Sequence, residues 1–287
     1  MFTQLFGHYL LNKNIVTGEQ LRKALEVKNN TRAKLGALAI DAGYMTAEQV
    51  DRVHEEQRRV DKRIGDIAVG MGYLTPEQVD ELLSKQKTAN IVIGQALIDL
   101  GYLTNQQFAD ALAEYKASAS FSSDGETDEE LEKEIITVFG LDTIEHEKFY
   151  IDYILLLIRN CVRFIGDDFA FGGCIKEGKT HHKWLLSQDI LGELSAYTAI
   201  GCDEKALMAL AQRYAGEEIT EPGEFAEACV GEFLNLQNGL FAVNQSNTEN
   251  VELNITPQTA DRDVDVEGVA LVLSFSFGDV TVVVRKN

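Results

Sequence analysis

Glu232 and Asn235 stand three residues apart in GEFAEACVGEFLNLQNGLFAV, a segment patterned as a helix that begins just after Pro222. At about 100° per residue, Ala228, Glu232, Asn235 and Gly239 fall along one strip, because residues three and four apart are neighbours on a helix. The strip offers one carboxylate and one carboxamide between small residues, which lets another protein surface approach closely. Beside it, Phe225, Cys229, Phe233, Leu236 and Leu240 are expected to form the apolar face. Other reactive residue types do not assemble. Cys161, Cys174, Cys202 and Cys229 are widely spaced, with no Cys-x-x-Cys pair and no histidine at ligand spacing, so they read as reduced thiols of a cytoplasmic protein and no metal site is expected. His181-His182, between Lys179 and Lys183, reads as an exposed loop, Gly172-Gly173-Cys174 as a turn, and Trp184 as packing. No spacing suggests a Ser-His-Asp or Cys-His arrangement.

The elements that must position the strip can be outlined. Tyr150, Ile154, Leu157, Ile158, Cys161 and Val162 recur at helical period and describe a long buried helix ending near Gly166. Leu191 to Gly201 has strand character, and Asp203 to Gly216 is an amphipathic helix closed by a glycine. VELNITP and VALVLSFSFGDVTVVVRKN follow, with Gly278-Asp279 expected as a two-residue hairpin turn. The result is an α+β domain with an antiparallel sheet over residues 146–287.

Here the chain resembles the CheC, CheX and FliY family of chemotaxis phosphatases. Their signature is Asp or Ser, three residues, Glu, two residues, Asn, and a proline 22 positions on; Glu232, Asn235 and Pro257 match it, and Ala228 replaces the first residue. A single Glu-x-x-Asn helix favours the CheX type. The resemblance, covering about Phe149 to Val284, implies dephosphorylation of a phosphorylated CheY-like receiver domain, the Mg²⁺ being the partner's and no cofactor the protein's own. It assigns Asn235 to the attacking water and Glu232 to the receiver's lysine. The rival implication is an adaptor that docks a receiver or flagellar protein without hydrolysis.

Ahead of this domain the chain repeats itself. Gly7, Gly36, Gly65 and Gly94 stand 29 residues apart, and Thr17, Thr46, Thr75, Thr104 and Gln20, Gln49, Gln78, Gln107 keep the same step. Each copy reads as short helix, turn, longer helix, so residues 1–116 are expected to form an all-α array of four stacked units. Gly43, Gly72 and Gly101 sit at the turns, with Asn14 in the first copy. Each threonine reads as an N-cap reciprocated by its glutamine. The repeats resemble the MshEN-type N-terminal domains of type II secretion and pilus-assembly ATPases, through Arg63-Ile64-Gly65 with Gly72 and Gln86, and Lys34-Leu35-Gly36 with Gly43 and Gln57. That resemblance implies cyclic di-GMP binding by Arg63, Gln86, Lys34 and Gln57.

Residues 117–145 turn Ser-rich and then acidic and read as a linker, with Leu131 to Phe139 helix-forming. Composition limits the rest. A net charge of −20 and a pI near 4.6 argue against a nucleic-acid partner. No apolar run approaches the roughly 18 residues of a membrane span, and the N-terminal stretch lacks the basic leader of a signal peptide. The β-rich C-terminus is compatible with a homodimer through edge-strand pairing.

Overall fold

A computed structural model describes residues 2–28, 30–84, 89–118 and 128–287. The chain divides into two compact units, Met1–Ser122 and Ser123–Asn287.

Among its described residues, the first unit carries four helix pairs: α1 (Phe2–Asn12) with α2 (Gly18–Lys28), α3 (Leu35–Asp41) with α4 (Ala47–Gln57), α5 (Ile64–Gly70) with α6 (Pro76–Ser84), and α7 (Ala89–Asp99) with α8 (Asn105–Ser118). Local rules repeat in all of them. Gly43, Gly72 and Gly101 have φ of 71°, 73° and 73°, and Asn14 has 53°, the left-handed conformation that ends each first helix. The four threonine N–H groups donate to the paired glutamine Oε1 at 2.8–2.9 Å, and each glutamine N–H donates back to the threonine Oγ1 at 3.1–3.2 Å. The repeating glycines have a separate reason. A Cβ on Gly36 would meet Val50 at 2.6 Å, one on Gly65 would meet Val79 at 3.1 Å, and one on Gly94 would overlap the Phe108 ring. In each case the obstacle lies fourteen residues on, where the second helix crosses the first.

The stacking order departs from the sequence order expected of a helical array. α7 packs on α1 and α2 as well as on α3, α8 packs on α4, and α5 and α6 meet α3 and α4. The spatial order is therefore copy one, four, two, three. Aromatic residues bind the first to the fourth copy, with Phe6 edge-on to Phe108 and Phe6 and Tyr9 about Tyr115. Surface ion pairs Lys34–Asp99 and Lys116–Asp41, each 2.7 Å, join the fourth to the second.

In the second unit, α9 (Asp128–Phe139) lies inside the segment read as linker. Its Leu131, Ile135 and Phe139 are buried, Phe139 meets Phe171 edge-on, and Lys176 Nζ donates to Gly140 O at 2.6 Å. α10 (Glu147–Asn160) follows and ends in a π-turn at Cys161–Ile165. The strands are β1 (Phe169–Ile175), β2 (Lys179–Gly192), β3 (Ala196–Cys202), β4 (Leu253–Ile255), β5 (Thr259–Glu267), β6 (Val269–Phe275) and β7 (Gly278–Lys286). They form one antiparallel sheet in the order β1-β6-β7-β3-β2-β4, with β5 also paired to β2. Because β5 runs through Gly268 straight into β6, the sheet coils on itself around Leu185, Ala199, Val266, Ala270 and Val283. α10, α11 (Glu204–Ala215) and α12 (Glu224–Glu249) cover the other face; Tyr153 and Leu157 face Leu271 and Val282.

Several local expectations are corrected. His181 and His182 lie in β2, not a loop: His182 is buried with Nε2 on Thr180 Oγ1, and His181 meets Asp265 across the ladder. Gly172-Gly173 forms a bulge within β1. The span Leu191 to Gly201 breaks at Glu193–Ser195, its ends belonging to β2 and β3. The β6–β7 turn is Ser276-Phe277, with Gly278 already paired to Phe275. Asp168 accounts for that register. Its backbone carbonyl accepts from Ser276 N–H at 3.1 Å, its carboxylate takes the Ser276 hydroxyl, and Phe277 stacks on Phe275 beneath Arg213.

Arg213 also grips Asp168 in a two-point ion pair at 2.5 and 2.8 Å. Burial alone raises the Asp168 carboxyl, but hydrogen bonds from Arg213 and Ser276 outweigh it and hold the group below its ordinary value. A carboxyl lowered in the folded state adds stability above its unfolded pKa and loses it as pH falls through the folded one. From about pH 5 downward, urea unfolding of the second unit should therefore weaken more steeply in wild type than in Asp168→Asn. Trp184, the single tryptophan, reports that transition by fluorescence, and parallel profiles would refute the assignment. In the first unit, Gly94→Ala should cost about 2 kcal/mol through overpacking against Phe108. Gly18→Ala, with open space around it, serves as the neutral comparison in circular-dichroism melts.

Candidate functional site

α12 is the longest described helix, and which of its faces is buried decides what it can do. The side turned to the sheet holds Ala226, Val230, Phe233, Leu234, Gln237, Asn238 and Phe241. The expected apolar face is thus corrected by a turn of about 100°: Phe225 is 56% and Leu240 41% exposed. The reason is polar. Gln237 and Asn238, each 0% exposed, belong to the inner face because buried partners satisfy them.

With the helix so turned, Ala228, Glu232, Asn235 and Gly239 lie along its open side. Glu232 is exposed and Asn235 half-buried. Asn235 Nδ2 is 3.5 Å from Glu232 Oε2, and Gln258 Nε2 donates to Glu232 Oε1 at 3.3 Å and to Gly231 O at 3.3 Å. Gln258 comes from the loop between β4 and β5 that also carries the exposed Pro257, so this loop forms one wall of the strip. From α11, Tyr214 packs its ring on Phe233 at 5.6 Å and reaches the Glu232 carbonyl at 3.5 Å. Burial first, then the Glu232 charge, raises the Tyr214 phenol above its usual value, which keeps it a neutral hydroxyl. On the far flank Arg262 lies over Trp184 at 3.9 Å and pairs with Glu227 at 2.8 Å.

Behind Asn235 a chain of amides runs into the core. Asn235 Oδ1 accepts from Gln188 Nε2 at 2.9 Å; the same nitrogen donates to Thr256 O at 2.7 Å. Gln188 Oε1 accepts from Asn238 Nδ2 at 2.8 Å, which also donates to Thr198 Oγ1 at 2.8 Å. Tyr153 OH donates to Asn238 Oδ1 at 2.8 Å, Gln237 Nε2 to Tyr153 O at 3.2 Å, and Asn160 Nδ2 to Gln237 Oε1 at 2.7 Å. These partners were not singled out in the sequence. Gln188 carried a signal nonetheless: a polar residue on the inward register of β2, between Leu186 and Ile190.

Of the residues expected to bind cyclic di-GMP, three lie among the described residues. Arg63 is exposed at the N-cap of α5; Lys34, at the N-cap of α3, holds Asp99; Gln57 Nε2 returns to Lys62 O at 3.2 Å, beside Arg63. Gln86 lies outside the described residues. Among the described residues no group of three or more His, Cys, Asp or Glu side chains is placed to hold a metal ion, and no helix is long and apolar enough to cross a membrane. Burial raises all four thiols, Cys202 to about 12 and Cys174 to about 11, so none is a ready nucleophile.

No known protein family matches the chain by sequence, and no curated protein does. Solved structures similar to it include chemotaxis protein CheX from Desulfovibrio desulfuricans, at 12% identity and a TM-score of 0.43, over 49% of this chain and 99% of that one. CheX from Vibrio vulnificus gives the same four values. A CheX–CheY–BeF3–Mg complex from Borrelia burgdorferi is similar at 14% identity and a TM-score of 0.39, over 48% of this chain and 98% of that one.

The amide chain itself is testable. Asn238→Leu strands the Tyr153 hydroxyl and one side of Gln188 in the core and should lower the stability of the second unit by about 3 kcal/mol. The readout is the urea midpoint of Trp184 fluorescence; a change under about 0.5 kcal/mol would mean that the network is not structural.

Proposed function

We propose that the second unit dephosphorylates an aspartyl phosphate on a CheY-like receiver domain, with the helical array regulating or localising it. One observation carries this reading: Glu232 and Asn235 stand together on the open side of α12, and the amide of Asn235 is pinned from behind. Their spacing, with Pro257 beyond, supports it as the sequence motif.

The chemistry asks for little beyond that pair. In such a receiver the acyl phosphate is already held by the partner's own Mg²⁺ and lysine, and hydrolysis depends on placing a water in line with the scissile bond. The water oxygen bonds to phosphorus, the bond from phosphorus to the aspartyl oxygen breaks, and the electron pair leaves with the carboxylate. A water proton passes to the phosphate product. A carboxamide suits the positioning task because it hydrogen-bonds the water without adding charge beside the phosphoryl group. Asn235 takes that role, and Glu232, one turn away and exposed, pairs with the receiver's lysine to fix the docking register. The small side chains at Ala228 and Gly239 let the receiver approach.

The test is loss of phosphate from acyl-phosphorylated receiver domains with wild type, Asn235→Ala and Glu232→Ala in parallel. Asn235→Ala should lower kcat by about 10²-fold, near 3 kcal/mol, with the receiver still bound, whereas Glu232→Ala should weaken binding as well. Binding without any acceleration by the wild type would replace the phosphatase with an adaptor.

A further inference from the structure

Amide side chains look alike end to end, so which end Asn235 offers to a ligand has to come from its partners. Two backbone carbonyls, which can only accept, settle the whole chain. Thr256 O lies 2.7 Å from the Gln188 amide and so requires its nitrogen there. From the other side, Thr198 Oγ1 spends its one proton on the carbonyl of Gln188 at 2.8 Å and must accept from Asn238 Nδ2. Asn238 then turns its oxygen to the Tyr153 hydroxyl and its nitrogen to Gln188 Oε1. Both lines give Gln188 the same orientation, Nε2 toward Asn235. The oxygen of Asn235 is therefore the end bound to Gln188, at 2.9 Å, and Nδ2 is the end on the Glu232 side, 3.5 Å from its Oε2.

We infer that Gln188, 2% exposed beneath the strip, is the positioning residue of the site and fixes which end of the Asn235 amide is offered outward, its N–H. Resting on the phosphatase reading above, this means that Asn235 grips an oxygen lone pair, that of the attacking water or of the phosphoryl group. Such a water keeps its second lone pair for phosphorus and gives its protons to other acceptors.

Two variants test the outward N–H of Asn235 and tell positioning from mere folding. Asn235→Asp still accepts the Gln188 bond but turns oxygen, and a charge, outward, so it should lose kcat by at least as much as Asn235→Ala, on the order of 10²-fold or more. Gln188→Met keeps length and removes the bond; it should lower kcat by up to about 10²-fold while leaving KM for the receiver unchanged. In ¹⁵N-labelled full-length protein, the Asn235 side-chain amide should be as rigid as the backbone, with an order parameter near 0.85, and should fall below about 0.6 in Gln188→Met. Backbone amide spectra away from the strip check that the variant is folded, and retained kcat in Asn235→Asp still overturns the outward N–H if it is not. Wild-type kcat in Asn235→Asp, or an unchanged Asn235 amide in a folded Gln188→Met, overturns the inference. If wild type hydrolyses no receiver phosphate, the phosphatase reading fails by itself and the amide dynamics still judge the role of Gln188.

Discussion

One side-chain nitrogen, Nε2 of Gln188, is shared between the carbonyl of Thr256 and the amide of Asn235, and the second unit is arranged around keeping both bonds. Through them the central strand β2 holds the loop that carries Pro257 and the exposed side of α12 in one register. Further in, Asn238 and Tyr153 extend the same chain to α10. A buried amide left without partners is costly, so each member demands the next. The rotation of α12 follows: Gln237 finds its partners on α10, and Asn238 on the sheet and α10, only when both face inward, and Glu232 and Asn235 are then left outside.

That dependence also explains what could be read from the sequence. The turn glycines, Asn14 and the four capping boxes were legible because each is decided within a few residues of chain. The period itself announced the helix pairs, although the reason for Gly36 and Gly94 lies in helices that cross fourteen residues apart. The rotation of α12 was not legible. Apolar periodicity treats Gln237 and Asn238 as surface residues, and only partners 40 to 85 positions away bring them inside. Gly278-Asp279 misled in the same way, since Asp168, more than a hundred residues earlier, sets the turn at Ser276-Phe277. The strip that carries Glu232 and Asn235 was expected from spacing on a helix, and the amides behind it came only with the fold.

The two units are held by different means. In the first, cohesion comes from repeated contacts of small and apolar residues, Gly36 on Val50 and Gly94 on Phe108, with ion pairs at the surface adding little. In the second, apolar layers on both faces of a coiled sheet enclose a polar thread and a two-point ion pair, Arg213 on Asp168. Repetition suits a surface that presents similar faces many times. A unique polar thread suits one amide held in one orientation.

The order of the helix pairs, one, four, two, three, bears on how the chain reaches its native state. As it leaves the ribosome, the first pair has no neighbour to receive its apolar face, because Phe6 and Tyr9 wait for Phe108 and Tyr115. The second and third pairs can join at once; the first must remain open until some ninety further residues have been made. The middle pairs thus join first, the fourth adds to the second, and the first closes last, so a chain cut before the fourth pair would release the first with no surface to close on.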